Sequence, residues 1–347
     1  MICRWLFSIF ALFIQIFANN AEVIPIWNIG HMVNALWQID QFLDLGANAI
    51  EADFSFDKHG NAEWTYHGYP CDCFRSCKKY AAVEDYLSYI RELTDPTSPK
   101  FRKNFVLLMI DNKISGMNDK LKYKAGSDVA EKIIRYLWSG SGNSKLWILL
   151  SFPYTTDIGF IVGFKDTLKK RGYNHMDSKI GWDISGNEDL EVIRKTYEKL
   201  NITGSIWQGD GITNCLPRSS KRLLQVLKKR DAHVEWDSLN KVYYWTLDKW
   251  STMRYSLRIG VDGIITNYPH RFVDVLSEKE FSSTHRLATI EDNPWRKIHR
   301  TKKVEYNERT ILECEYSLLD EESYYSGMVR YYKTIRPLFI SNKSSKN

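Results

Sequence analysis

Ala47-Asn48-Ala49-Ile50-Glu51-Ala52-Asp53-Phe54 reads as a β-strand that carries two carboxylates near its end. Side chains alternate faces along a strand, so Glu51 and Asp53, two residues apart, point the same way. Two hard oxygen donors converging from one strand suit a divalent cation such as Mg²⁺. Outward from this run the same layout recurs. His31 follows the apolar run Ile24–Ile29, Asp111 follows Phe105–Ile110, and His67 lies in the segment after Phe54. Taken singly, each is explained as a strand-end polar residue facing water. Their joint placement points to a metal-dependent phosphodiester site.

The fold follows from the spacing of such runs. Strand-like stretches stand at Ile24–Ile29, Ala47–Phe54, Phe105–Ile110, Leu146–Ser151, Ile180–Ile184, Ser205–Trp207, Val242–Leu247 and Gly263–Thr266, eight in all. Between them, Asp128–Trp138, Glu188–Leu200, Ser219–Lys229 and Lys249–Ile259 carry apolar residues at helical spacing. Alternating strands and amphipathic helices predict a parallel sheet, and eight repeats suffice to close a (β/α)₈ barrel. In that α/β architecture the active site lies at the C-terminal ends of the strands. His31, Glu51, Asp53 and Asp111 fall there, as do Asp183, Asp210, Asp248 and Asn267. Helix capping by Asp or Asn accounts equally for some of the latter group. An excursion from Glu63 to about Tyr80 reads as a stapled loop over the barrel mouth.

Composition bounds the setting. The chain has 347 residues, 44% hydrophobic and 26% charged, with a formal net charge of +6, which is enough for a single-domain barrel. The mild basic balance suits anionic surfaces or phosphate esters. No nucleic-acid-binding motif is present. Lys169-Lys170-Arg171 and Lys228-Lys229-Arg230 each fall at a predicted helix end, where cations favour the helix dipole. Arg4, the apolar run Leu6–Phe17 and small residues at Ala18 and Ala21 read as a secretory signal over residues 1–18. The run is short for a transmembrane span, and the mature chain shows no other candidate. Residues 24–295 form the barrel domain, and 296–347 a Lys-, Arg-, Glu- and Tyr-rich extension without strand–helix rhythm and without a readable role.

There are six cysteines, and Cys3 leaves with the signal. Cys71, Cys73 and Cys77 cluster in Cys-Asp-Cys-Phe-Arg-Ser-Cys, while Cys215 and Cys314 stand apart. An oxidising compartment predicts disulfides from the cluster, with Cys314 the natural odd thiol. No accompanying His/Cys pattern completes a zinc site.

A single Mg²⁺ held by Glu51, Asp53 and Asp111 would bind a phosphate oxygen and neutralise charge developing at phosphorus. Two histidines divide the proton work, one taking and one giving. Lys113, two residues beyond Asp111, adds a positive charge on the same strand face. Tyr243 and Trp245 share one face of the seventh strand, next to Asp248. An inward orientation would let them box a quaternary ammonium, although barrel-core packing explains them too.

These residues sit in segments that resemble the arachnid sphingomyelinase D (phospholipase D) toxins, within the wider glycerophosphodiester phosphodiesterase-like barrel group. The matching segments are Ile26–Asn34, Phe42–Asp53, Thr65–Asp72, Val242–Lys249 and Val261–Pro269, and Ala288–Trp295 is similar to the family's tail motif that plugs the barrel base. The resemblance implies a distorted TIM barrel with one Mg²⁺. It implies catalytic roles for His31 and His67, metal ligation by Glu51, Asp53 and Asp111, and a substrate pocket lined by Lys113, Tyr243, Trp245, Asp248 and Asn267. It further implies the two-disulfide subgroup, with Cys71–Cys77 and Cys73–Cys215.

By the same resemblance the enzyme is secreted, acts as a monomer on phospholipid at a membrane surface, and binds no nucleic acid. It would release the headgroup of sphingomyelin and lysophospholipids by transphosphatidylation onto the substrate's own hydroxyl, giving a cyclic phosphate. A phosphohistidine route is the rival mechanism. Glycerophosphodiester hydrolysis with water, or lipid binding without catalysis, are the alternative functions. The loop Phe54–Glu63, Asn112, Thr246 and Leu247 depart from the family pattern, so the headgroup is less well defined than the bond cleaved; the extension after Trp295 is absent from the common venom toxins of the family.

Overall fold

The computed structural model describes residues 23–300 apart from 140–142, 233–235 and 299. The signal segment, Cys3, Cys314 and nearly all of the extension lie outside the described residues.

Eight parallel strands close the barrel in the order β1 (Ile24–Gly30), β2 (Ala49–Phe56), β5 (Leu107–Asn112), β6 (Trp147–Phe152), β7 (Ile180–Ile184), β8 (Ile206–Gly211), β9 (Leu239–Trp245) and β10 (Gly263–Thr266). Closure comes from β1, which pairs in parallel with both β2 and β10. Each barrel strand is followed by a helix: α1 (Leu36–Asp44), α2 (Val83–Thr94), α3 (Asp119–Lys132), α4 (Gly159–Lys170), α5 (Leu190–Lys199), α6 (Lys221–Ala232), α7 (Trp250–Arg258) and α8 (Pro269–Ser277). Among the described residues, no helix is long and apolar enough to cross a membrane.

Local chemistry sets the helix starts. The Gln38 side chain reaches back to accept from the backbone N–H groups of Asn34 and Ala35, so α1 begins without a capping side chain at Ala35. Asn118 Oδ1 accepts from Leu121 N and opens α3. That cap starts the helix at Asp119, earlier than the expected Asp128, and a π-helical turn over Ile133–Leu137 completes it. Asp189 caps α5 through the N–H groups of Glu191 and Val192.

Strand alternation sorts the core into two parts. Outward residues such as Ile26, Ile50, Leu108, Leu150 and Val242 pack beneath the helices, while Trp27, Met109, Leu149, Trp207 and Tyr243 fill the barrel. The barrel base is closed by the tail. Trp295 packs edge-on against Trp147, its ring centroid 5.9 Å away, and donates through Nε1 to Ser178 O at 3.0 Å. Trp207 Nε1 donates to Pro294 O. Gly181 makes room for this plug, because a Cβ there would lie 2.2 Å from the Trp295 ring.

Three features go beyond the expectations from sequence. The excursion after β2 is a hairpin, with β2 pairing antiparallel to β3 (Ala62–Thr65), and β3 to β4 (Ala81–Ala82). A short strand, β11 (His285–Leu287), adds to β1 outside the barrel. Arg230 lies in the last turn of α6 as expected, but it is buried there and donates to Asp262 Oδ2 at 2.5 Å. Arg300 meets the other oxygen of Asp262 at 3.0 Å, and Lys297 meets Asp237 at 2.8 Å. The first residues after the tail motif therefore pack on the barrel base.

Candidate active site

The carboxylates come together because two strands lie in register. Asp53 on β2 is the direct partner of Asp111 on β5, and Glu51 precedes Asp53 by two on the same inward face. One oxygen from each of Glu51, Asp53 and Asp111 lies within 4.8 Å of the others. Glu51 and Asp53 are buried, and Asp111 opens to the mouth. Backbone and amide donors fix their orientation. Glu51 Oε2 accepts from Met32 N at 2.7 Å, and Asp53 Oδ2 from Asn34 Nδ2 at 2.7 Å. Lys113 Nζ stands 2.6 Å from Asp111 and 2.8 Å from Asp53.

This donor set fits a divalent cation. Asp53 Oδ1 is buried, and the Lys113 ammonium 2.8 Å away is its charged partner. Burial first, and then the charge of Asp53, push the Glu51 carboxyl up to about 8. A cation among the three oxygens relieves that crowding, and all-oxygen carboxylate ligation favours a hard ion of the Mg²⁺ type.

The two histidines flank the carboxylates. Their ring centroids are 6.4 Å apart and the rings nearly perpendicular. His67 Nδ1 lies 2.8 Å from Gly68 O. A protonated Nδ1 donates there and leaves Nε2 with a free lone pair. His31 Nδ1 faces Asp72 Oδ2 at 3.0 Å and Asn267 Oδ1 at 3.1 Å. Burial alone would lower the His31 pKa, but the hydrogen bond and charge of Asp72 override it and hold His31 at about 9. Burial likewise opposes the Asp72 charge, and the His31 contact outweighs it, keeping Asp72 well below the usual carboxylate range.

Other residues expected at the site are held by neighbouring side chains. Tyr243 is buried, its ring against Trp207 and its hydroxyl donating to Asp183 Oδ2 at 2.8 Å. It fits there because Gly209 has no side chain to meet its ring. Trp245, two residues on along the same strand face, is half-buried. Asp248 is tied into the same rim by its neighbours. Its carboxylate accepts from Asn214 Nδ2, from Thr266 Oγ1, and from both the backbone and side-chain nitrogens of Asn267. It positions Asn267, which in turn contacts His31. Asp183 accepts from Ser151, Tyr243 and Gly209, and Asp210 is paired to Arg218 and Arg222, so both are architectural.

Asp72 and Arg75 were given no role from sequence, though both sit inside the cysteine cluster. Arg75 Nη1 donates to His31 O at 2.6 Å and also to Asn267 Oδ1. The signal was present: two opposite charges within a loop tied by cysteines. Cys71 is bonded to Cys77, and Cys73 to Cys215 across 142 residues, so the loop is anchored beside the mouth. Asn34, three residues past His31, was likewise unassigned and orients Asp53.

A carboxylate cluster with two histidines at the C-terminal mouth of a (β/α)₈ barrel defines a phosphodiesterase-type centre. A family model described as Dermonecrotic toxin SPH matches residues 21–295, and the chain belongs to that family, whose members are enzymes of the sphingomyelinase D (phospholipase D) type. Dermonecrotic toxin Hl-PLD1 of Hemiscorpius lepturus is 59% identical over 280 residues, covering 80% of this chain and 86% of that protein. Dermonecrotic toxin SpeSicTox-betaIIA2ii of Sicarius peruensis is 52% identical over 273 residues, covering 78% and 99%. Among solved structures, a glycerophosphodiester phosphodiesterase from Parabacteroides distasonis superposes with a TM-score of 0.47 at 14% identity, covering 73% of this chain and 98% of that one.

Proposed function

We propose that this is a secreted, Mg²⁺-dependent phospholipase D-type lyase that removes the headgroup from sphingomyelin and lysophospholipids. The observation that carries this reading is the pair His31 and His67, 6.4 Å apart at the edge of the Glu51–Asp53–Asp111 cluster. One Mg²⁺ bound to those carboxylates supplies a positive charge for the phosphate. Lys113, Tyr243, Trp245, Asp248 and Asn267 line the substrate pocket in this reading.

The proton work divides along the contacts of each ring. His67, with Nδ1 engaged by Gly68 O, offers Nε2 as a base to the substrate's own hydroxyl. That oxygen bonds to phosphorus as the bond from phosphorus to the headgroup oxygen breaks. His31, kept protonated by Asp72, gives its proton to the departing headgroup. The product is a cyclic phosphate plus the free alcohol. Attack by a hydroxyl already held in the site has the advantage of proximity over attack by water.

The two disulfides suit an oxidising compartment, which supports secretion with removal of residues 1–18. We take the mature enzyme as a monomer, with residues 24–295 as its catalytic domain and 296–347 as an appended segment. Phosphorus NMR of sphingomyelin or lysophosphatidylcholine with enzyme and Mg²⁺ tests the reading. A cyclic phosphate that His67→Ala fails to produce supports it; a linear phosphate makes the enzyme a hydrolase instead.

A further inference from the structure

We propose that the disulfide-tied loop is a bilayer-docking element, with Phe74 as an apolar tip that enters the lipid surface and seats the barrel mouth on it. This rests on the reading of the substrate as a phospholipid. Among the described residues, five of the nine exposed large apolar or aromatic side chains are Trp37, Trp64, Tyr69, Phe74 and Tyr80. Trp37 lies in the first turn of α1, directly after β1, and the other four lie on the β3–β4 excursion, so all belong to the mouth side.

Phe74 runs against stability twice. Its side chain is 76% exposed, and its backbone takes φ +64°, in the left-handed region that glycine occupies without cost and bulky residues avoid. Such outliers persist where the surroundings over-determine them and mark a functional demand. Here the surroundings are explicit. Cys73 is bonded to Cys215, and Cys77 to Cys71. Asp72 and Arg75, on either side of the Cys73–Phe74 pair, turn inward to His31 and Asn267. The ring between them is left to face outward.

The surrounding chemistry matches a lipid interface better than a protein groove. Tyr and Trp rings favour the headgroup level of a bilayer. The Lys78 ammonium lies 5.8 Å from the centroid of the Tyr69 ring, and Lys79 lies 5.8 Å from that of Trp37, placing cations beside the aromatics at the level of lipid phosphates.

The test uses the full mature chain and vesicles of equimolar phosphatidylcholine and sphingomyelin, with binding followed by sedimentation. Phe74→Gly should weaken binding by at least about tenfold, the loss expected for withdrawing one phenyl ring from lipid. Phe74→Trp should retain binding. Turnover of lysophosphatidylcholine kept below its micelle concentration should be unchanged in Phe74→Gly, and its thermal midpoint equal or higher. Sedimentation of Phe74→Gly equal to wild type would overturn the proposal. So would loss of monomeric-substrate turnover in that variant, or a wild-type dimer in light scattering that Phe74→Gly dissolves. Failure of wild type to turn over the monomeric lipid would instead defeat the substrate reading beneath it.

Discussion

His31 Nδ1 and Asp72 Oδ2 lie 3.0 Å apart although they are supplied by different elements, the end of β1 and the disulfide-tied loop. The contact raises His31 from an ordinary 6.5 to about 9, so the folded chain favours the imidazolium. The contribution to stability is complete below the unfolded value and is lost as pH rises through about 9. On the acid side it is lost only as pH falls through the depressed Asp72 pKa. Asp72→Asn should therefore move the basic limb of the kcat/KM profile down by about one to two pH units. A profile that keeps its basic limb would remove His31 as the proton donor.

The register pairing of Asp53 with Asp111 leads to a metal-binding prediction. Glu51→Gln and Asp111→Asn should each weaken Mg²⁺ binding in calorimetry. Asn34→Ala, which removes the amide that orients Asp53, should cost about 10–100-fold in affinity. Unaltered affinity in all three variants would take the metal elsewhere.

Metal removal should lower the thermal midpoint reversibly. Saturating Mg²⁺ at about 100 times its dissociation constant stabilises the native state by about 2.7 kcal/mol. The effect of chelator should vanish in Glu51→Gln, and calorimetric scans with and without chelator on both proteins measure it.

Cutting the tie between the loop and the barrel should harm activity more than folding. Replacing Cys73 and Cys215 together by Ser should cost about 2–5 kcal/mol, with a still larger loss of kcat, since Asp72 and Arg75 flank Cys73. Chemical denaturation and turnover of the soluble substrate, measured on one preparation, separate the two effects.

The base plug is testable by a double-mutant cycle. Gly181→Ala drives a Cβ to within 2.2 Å of Trp295 and should destabilise by about 1–3 kcal/mol. In a Trp295→Ala background the penalty should shrink, leaving the part due to Ser205 O at 2.9 Å. Equal penalties in both backgrounds would mean that Trp295 does not fill the base in solution.

The barrel and its carboxylate cluster were legible in sequence because they depend on short-range regularities. The period-two alternation of Ala47–Phe54 put Glu51 and Asp53 on one face, and the repeat of strand and helix put Asp111 at the same rim. The limits of the helix beginning at Asp119 were not legible, because Asn118 caps it ahead of any apolar periodicity.

Tertiary structure alone decided what each polar residue touches. Tyr243 packs on Trp207, and Asp248 accepts from Asn214, Thr266 and Asn267, partners that lie far from them in the chain. Asp72 and Arg75 became partners of His31 only when a loop 40 residues downstream in the chain folded over the mouth, its Cys73 bonded to Cys215. Alternation and propensity are local properties that the chain carries everywhere along itself. The protonation of His31 is a sum of charges and burial at one point in space, and that point exists only when strands, loop and disulfides have met.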